Sequence, residues 1–159
     1  MSLAWREIAA LIHGYAECID DGDFEGVAEL LADAELRTEG IPGAVRGREA
    51  ILDLYRRTTR IHPETGTPRT AHLVTNLVID VDEEARSARA RSRFAVLQAT
   101  PELPLQVVAA GRYRDRFHRG PAGWCFRERV IRLDLLGNLT SHLLLDADSL
   151  PGAGGGSRR

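Results

Sequence analysis

The sequence predicts an α+β domain, with three N-terminal helices followed by a curved antiparallel sheet of four to five strands that together make a cone around a pocket. Three observations carry this expectation. Apolar residues recur at spacings of three and four up to about position 60. Beyond about position 70 they switch to β-branched runs and strand-like alternation. Short turn-forming clusters separate those runs, as hairpins require. Helices segregated to one side of such a sheet form a layered α+β domain, and a bent sheet under helices leaves a pocket at its open end.

A first helix is predicted over residues 3–20, where Trp5, Ile8, Ile12, Tyr15 and Ile19 line one face and Gly22 ends the run. Asp23 can cap a short second helix that turns Val27, Leu30 and Leu31 inward. A short strand is expected over residues 35–39, before a turn at Gly40-Ile41-Pro42-Gly43. A third helix over residues 47–60 buries Ile51, Leu54 and Tyr55. Strands follow over residues 71–81, 87–99, 106–118 and 124–136. The domain is expected to span residues 1–145, and the Gly-rich residues 146–159 read as a disordered tail.

The 159 residues, at 17.5 kDa, suit one domain. A chain of this length buries roughly 70% of its unfolded surface, enough for a core and an internal pocket. A net charge of −2 gives no general attraction to nucleic acid or to an anionic membrane. All 21 basic residues are arginine, which removes lysine Schiff-base chemistry. Cys18 and Cys125 are far apart and read as small core residues, as in a reducing compartment. With neither a basic-then-apolar leader nor an apolar run of ~20 residues, the expected location is cytoplasmic, away from membranes. No phosphate loop, serine elbow or zinc motif stands in the sequence, so no cofactor and no metal are expected.

Three segments carry a family resemblance. They are Tyr15-Ala16-Glu17-Cys18-Ile19-Asp20-Asp21-Gly22-Asp23-Phe24, Thr70-Ala71-His72-Leu73-Val74-Thr75-Asn76-Leu77, and Gly111-Arg112-Tyr113-Arg114-Asp115-Arg116-Phe117 with Gly123-Trp124-Cys125-Phe126. With the order of elements, they make about residues 5–137 resemble the SnoaL-like branch of the nuclear-transport-factor-2-like superfamily. That branch includes scytalone dehydratase, bile-acid 7α-dehydratase, hexachlorocyclohexane dehydrochlorinase and polyketide cyclases, and ring-hydroxylating dioxygenase small subunits share its fold. The resemblance implies an Asp20–His72 pair in an apolar pocket, with Tyr15 beside it. Two departures stand out: the next strand reads Phe94-Ala95-Val96-Leu97-Gln98, without the second histidine of scytalone dehydratase, and no lysine stands near Tyr15.

Asp20 lies about 90° from the centre of the helix's apolar stripe, taking ~100° per residue, so its carboxylate can point sideways into a pocket. A negative charge at a helix C-terminus is mildly unfavourable, which favours a functional reason for it. A carboxylate on one imidazole nitrogen fixes the tautomer and frees the other nitrogen as a base. On spacing alone His72 reads as a half-buried strand histidine bonded to a backbone carbonyl; the resemblance makes it the base. Tyr15 either donates to a substrate oxygen or packs in the core. Asn76 either contacts ligand or serves a β-bulge or turn. Arg129 and Arg132 either reach an anionic group on substrate or pair with Glu128, Asp134 or sheet neighbours.

The remaining histidines, His13, His62, His118 and His142, show no ligand spacing and are expected at the surface. Arg89, Arg91, Arg93, Arg112, Arg114, Arg116 and Arg127 are expected on the convex sheet face, balanced by Asp115 and Glu128. Aromatic residues for base stacking do not interleave with them and the net charge is negative, so a solvated or dimer-forming face is expected rather than a nucleic-acid surface, and the resemblance implies a homo-oligomer through it. The expected function is that of a cofactor-independent, dehydratase-like lyase or isomerase acting on a small, largely apolar molecule, cyclic or not. The alternative is non-catalytic: a small-molecule binder or the small subunit of a dioxygenase-type assembly.

Overall fold

The computed structural model describes residues 1–145 and Leu150. The tail expected at residues 146–159 lies, but for Leu150, outside the described residues. Helix α1 spans Leu3–Asp20, and the Ser2 hydroxyl caps it by accepting the Trp5 N–H at 3.2 Å. Its buried stripe is Ala4, Ile8, Ile12, Tyr15 and Ile19. Gly22 follows at φ 74°, a left-handed conformation in which a Cβ would meet the Gly66 carbonyl. Helix α2 (Phe24–Leu30) is capped by Asp23, whose carboxylate accepts the Gly26 N–H at 2.8 Å. Helix α3 (Arg48–Thr58) buries Ile51 and Tyr55.

The strands are β1 (Glu35–Thr38), β2 (Val45–Arg46), β3 (Thr70–Asp82), β4 (Ser87–Gln98), β5 (Gln106–Gly120) and β6 (Gly123–Leu136). They form one open, curved sheet of six strands in the order β2-β1-β6-β5-β4-β3. Two features correct the antiparallel expectation. Strand β1 lies parallel to β6, with Glu35 opposite Glu128 and Thr38 opposite Ile131, so the sheet is mixed. Strand β2 adds a two-residue edge that is too short to show any periodicity.

Bulges bend the sheet, at Thr75/Val78 in the β3–β4 pair, Val96/Leu97 in β4–β5, and Ala110/Gly111 and Arg116/Phe117 in β5–β6. Gly111 is required at its bend, because a Cβ there would strike the Arg132 carbonyl and the Phe94 ring. The concave face carries Phe94, Tyr113, Phe117 and Phe126 against α1 and α2, with the Phe94 and Tyr113 rings stacked at 4.4 Å. The convex face carries the arginines, as expected, but Asp115 is not among them: it is 2% exposed and faces the core. Among the described residues no helix is long and apolar enough to cross a membrane.

Candidate active site

Strand β3 runs beside the C-terminal end of α1, and its alternation puts Thr70 and His72 on one face toward Asp20. The Asp20 carboxylate accepts three hydrogen bonds there. Thr70 Oγ1 donates to Oδ1 at 2.7 Å, the His72 N–H to Oδ2 at 2.7 Å, and His72 Nδ1 lies 2.6 Å from Oδ1. These donors offset the unfavourable helix terminus. Burial alone would raise the Asp20 pKa, but the bonds and charge of His72, with Thr70, outweigh it and hold the carboxyl below its ordinary value. An ionised carboxylate on Nδ1 makes that nitrogen the donor, leaving the Nε2 lone pair free.

His72 lines a cavity of about 210 Å³ together with Tyr15, Tyr55, Phe94, Tyr113 and aliphatic side chains. A dry cavity of ~150 Å³ already admits benzene, so this one has room for a larger apolar ring system. The Tyr15 and Tyr55 hydroxyls bond each other. Burial raises the pKa of Tyr15, and that of Tyr55 well above the usual value, so both stay protonated. Two hydroxyls carry two protons and their mutual bond uses one, so the pair retains a donor.

Arg129 does not line this cavity. It is fully buried behind it, with Nε and Nη2 each donating to Asp115 at 2.8 Å. Its guanidinium lies 4.1 Å from the Tyr15 ring centre, 4.2 Å from that of Tyr113 and 4.8 Å from that of Phe126. The bulge at Arg116/Phe117 turns it inward, because it lets Phe126 and Arg129, three residues apart, share the concave face. Arg132 faces out, with Nε 2.9 Å from Asp134. Asn76 sits exposed in the β3 bulge at φ 53° and away from the cavity. Asparagine tolerates that left-handed region.

His142 is the residue that spacing did not reveal. Contrary to expectation it is 8% exposed and lines the cavity. After β6 the chain folds back as a strap that adds Leu139, His142 and Leu143 to the cavity lining. The Arg60 N–H donates to the His142 carbonyl at 2.8 Å and the Leu144 N–H to that of Thr58 at 2.9 Å. The Ser141 carbonyl accepts from Gln98 Nε2 and lies within bonding distance of His62 Nε2, both at 2.9 Å. His62 is therefore half-buried rather than a free surface residue, and His118 is half-buried against Cys125, 3.2 Å from its sulfur. His13 is exposed, as expected.

The His142 ring meets the His72 ring edge-to-face at 6.5 Å, and its Nδ1 is buried without a partner among the described residues. Burial first, then the neighbouring His72, lower its pKa to about 4, against the opposing pull of Asp20 and a further push from His62. Folded His142 thus binds fewer protons than the unfolded chain between pH 4 and 6.5. Its contribution to stability is whole above pH 6.5, falls as pH drops through that window and levels off near 4. The full drop is roughly 3 kcal/mol. Urea titrations from pH 4 to 7 should show this slope in the wild type and a flatter one in His142→Gln.

A curved sheet under three helices, with a carboxylate–imidazole pair at an apolar cavity, defines a pocket protein of the nuclear-transport-factor-2-like class. The chain belongs to the SnoaL-like domain family, whose model matches residues 2–130. Among solved structures it is similar to an NTF2-like protein with a cystatin-like fold from Novosphingobium aromaticivorans, at 27% identity, 82% of this chain, 81% of that one and a TM-score of 0.68. A protein of unknown function from Mycobacterium tuberculosis is 29% identical over 83% of this chain and 79% of its own, with a TM-score of 0.65. A candidate scytalone dehydratase from N. aromaticivorans, 24% identical over 84% and 85% with a TM-score of 0.64, shares the fold. Among curated proteins nothing matches the sequence.

Proposed function

We propose that the protein is a cofactor-independent lyase or isomerase of dehydratase type, acting on a small, largely apolar molecule. The observation that carries this reading is the 2.6 Å Asp20–His72 contact at the apolar cavity. His72 Nε2 removes a proton from a carbon beside a carbonyl, and the C–H electron pair moves into the enolate. The Tyr15–Tyr55 pair donates a hydrogen bond to the oxygen on which that charge develops. Asp20 holds the tautomer and balances the imidazolium. In a dehydration the enolate oxygen re-forms the carbonyl and the pair on the α-carbon becomes the new C=C bond as the β-carbon–oxygen bond breaks. The departing hydroxide takes the proton from His72 and leaves as water. An isomerisation uses the same first step and returns the proton to another carbon.

The test is deuterium incorporation into α-carbons of 2-tetralone, 1-indanone and cyclohexanone in D2O, followed by NMR. The wild type should accelerate exchange of at least one of them, and His72→Ala should lose ~10²–10⁴-fold of that acceleration. No acceleration with any of the three would end the enzymatic reading and leave a binding role.

We further propose that two copies pair through the convex sheet. Cross-strand neighbours Leu73, Ala95, Ala110 and Leu135 form an apolar row there. Leu73 is 48% and Leu135 70% exposed, and Val107, at 54%, extends the patch. Arg112 beside it is paired with Asp134 at 2.7 Å, and Arg116, farther along the same face, with Glu128 at 3.4 Å. Sedimentation should give a dimer for the wild type and a monomer for Leu135→Glu; a wild-type monomer would refute the pairing.

A further inference from the structure

We propose that His142 is a ligand-binding residue of the cavity, a neutral imidazole that hydrogen-bonds the uncharged hydroxyl or carbonyl oxygen of an otherwise apolar ligand. The inference rests on the cavity being the ligand site, as in the function proposed above. It adds a residue from a different element and defines the ligand's chemical class.

A buried polar atom without a partner is costly and is rarely left so. Among the described residues neither ring nitrogen of His142 has a hydrogen-bond partner, Nδ1 is buried, and the ring lines the cavity. The strap does not hold the ring through its nitrogens: its bonds to Thr58, Arg60, His62 and Gln98 all run through backbone atoms of residues 141–144. These bonds fix the position of His142 while leaving its imidazole unspent. The ring centres of His72 and His142 are 6.5 Å apart. That separation allows one ligand oxygen to sit near both imidazoles, at hydrogen-bond distances of about 3 Å.

The charge environment sets the kind of oxygen. Arginine and lysine are absent from the lining, among the described residues, and the buried Arg129 is engaged by Asp115. The Asp20 carboxylate bonds His72 and so offsets any positive charge there. With its pKa lowered to about 4, His142 is uncharged at neutral pH and brings one donor and one acceptor. A ligand carboxylate would enter an apolar cavity to which the described residues offer no free cation, whereas a hydroxyl or carbonyl would bond the imidazole at no charge cost.

The test compares three probes of similar size, 2-naphthol, 2-methylnaphthalene and 2-naphthoate, by fluorescence or calorimetric titration at pH 7. The wild type should bind 2-naphthol about tenfold more tightly than 2-methylnaphthalene, the worth of one good hydrogen bond. It should bind 2-naphthoate more weakly than 2-naphthol. His142→Phe should bind 2-naphthol and 2-methylnaphthalene equally, and His142→Gln, which keeps a donor and an acceptor, should recover part of the preference. Should neither neutral probe bind, or 2-naphthoate bind best, the proposal is overturned. Preference for 2-naphthol that survives in His142→Phe overturns it as well. Exchange of 2-tetralone separates the two readings. A preference that needs His142 without any exchange keeps this proposal and removes the general base; exchange without that preference does the reverse.

Discussion

Replacing Asp115 with alanine should destabilise the protein by about 3–5 kcal/mol, the cost of leaving a buried charge without its partner. Arg129 and Asp115 are 0% and 2% exposed, and two 2.8 Å hydrogen bonds join them. The register places them directly opposite each other on β6 and β5. Three aromatic rings surround the guanidinium, so no water can take over once the carboxylate is gone. The Asp115 charge, ahead of the neighbouring tyrosines, keeps Arg129 protonated against the opposing effect of burial, so deprotonation offers no escape. Asp115→Leu with Arg129→Met should recover most of the loss, because an apolar pair of similar volume avoids desolvation of both ions. Urea unfolding at pH 7 is the measurement, with the midpoint falling and the slope unchanged. If Asp115→Ala costs less than about 1 kcal/mol, the pair is hydrated rather than sealed in the core.

This pair also marks where sequence patterning stops. Alternation along β5 groups Asp115 with Tyr113 and Phe117 on the concave face, so its burial was legible in principle. The arginines on either side pointed to a solvated row instead. Arg129 was less accessible, since a bulge resets the parity of β6 and nothing in its composition announces the reset. The α1 stripe and the long strands were legible because periodicity persists over many residues. A two-residue edge strand carries no period, and the parallel β1–β6 pairing joins segments with no turn between them to fix their direction. The site divides in the same way. Asp20 and His72 stood in motifs that the family resemblance could carry, and the structure brings them together. Tyr55 was expected in the core, but its bond to Tyr15 joins residues 40 apart on different helices. His142 lies in a strap without periodicity, and only backbone pairing to residues near Thr58 and Arg60 delivers it to the cavity.

Asp20→Asn should abolish most of any His72-dependent exchange, by ~10²–10⁴-fold, while leaving a folded protein. The carboxylate accepts from three donors at 2.6–2.7 Å. An amide has one oxygen and an NH2 group, so it cannot accept all three. If the NH2 turns toward the ring, His72 must accept at Nδ1 and carry its proton on Nε2, which leaves no base facing the cavity. If the oxygen turns toward the ring, the NH2 opposes the His72 backbone N–H and the strand shifts. Either outcome removes the charge that balances an imidazolium. A downfield Nδ1–H resonance should be present in wild-type NMR spectra and absent in Asp20→Asn. Thr70→Val, which removes one donor and leaves the carboxylate, should keep the resonance and most of the rate. Stability adds an independent check. Because the Asp20 pKa is depressed on folding, its contribution is present above about pH 4 and is lost as pH falls below the ordinary carboxyl value of 3.8. The asparagine variant should be roughly 1–3 kcal/mol less stable at pH 7, the cost of lost hydrogen bonds to a charged group. That gap should close as the solution is acidified. A variant that keeps the full exchange rate while losing the acid-sensitive stability would make Asp20 a clamp between helix and strand, and the base would have to be sought elsewhere in the cavity.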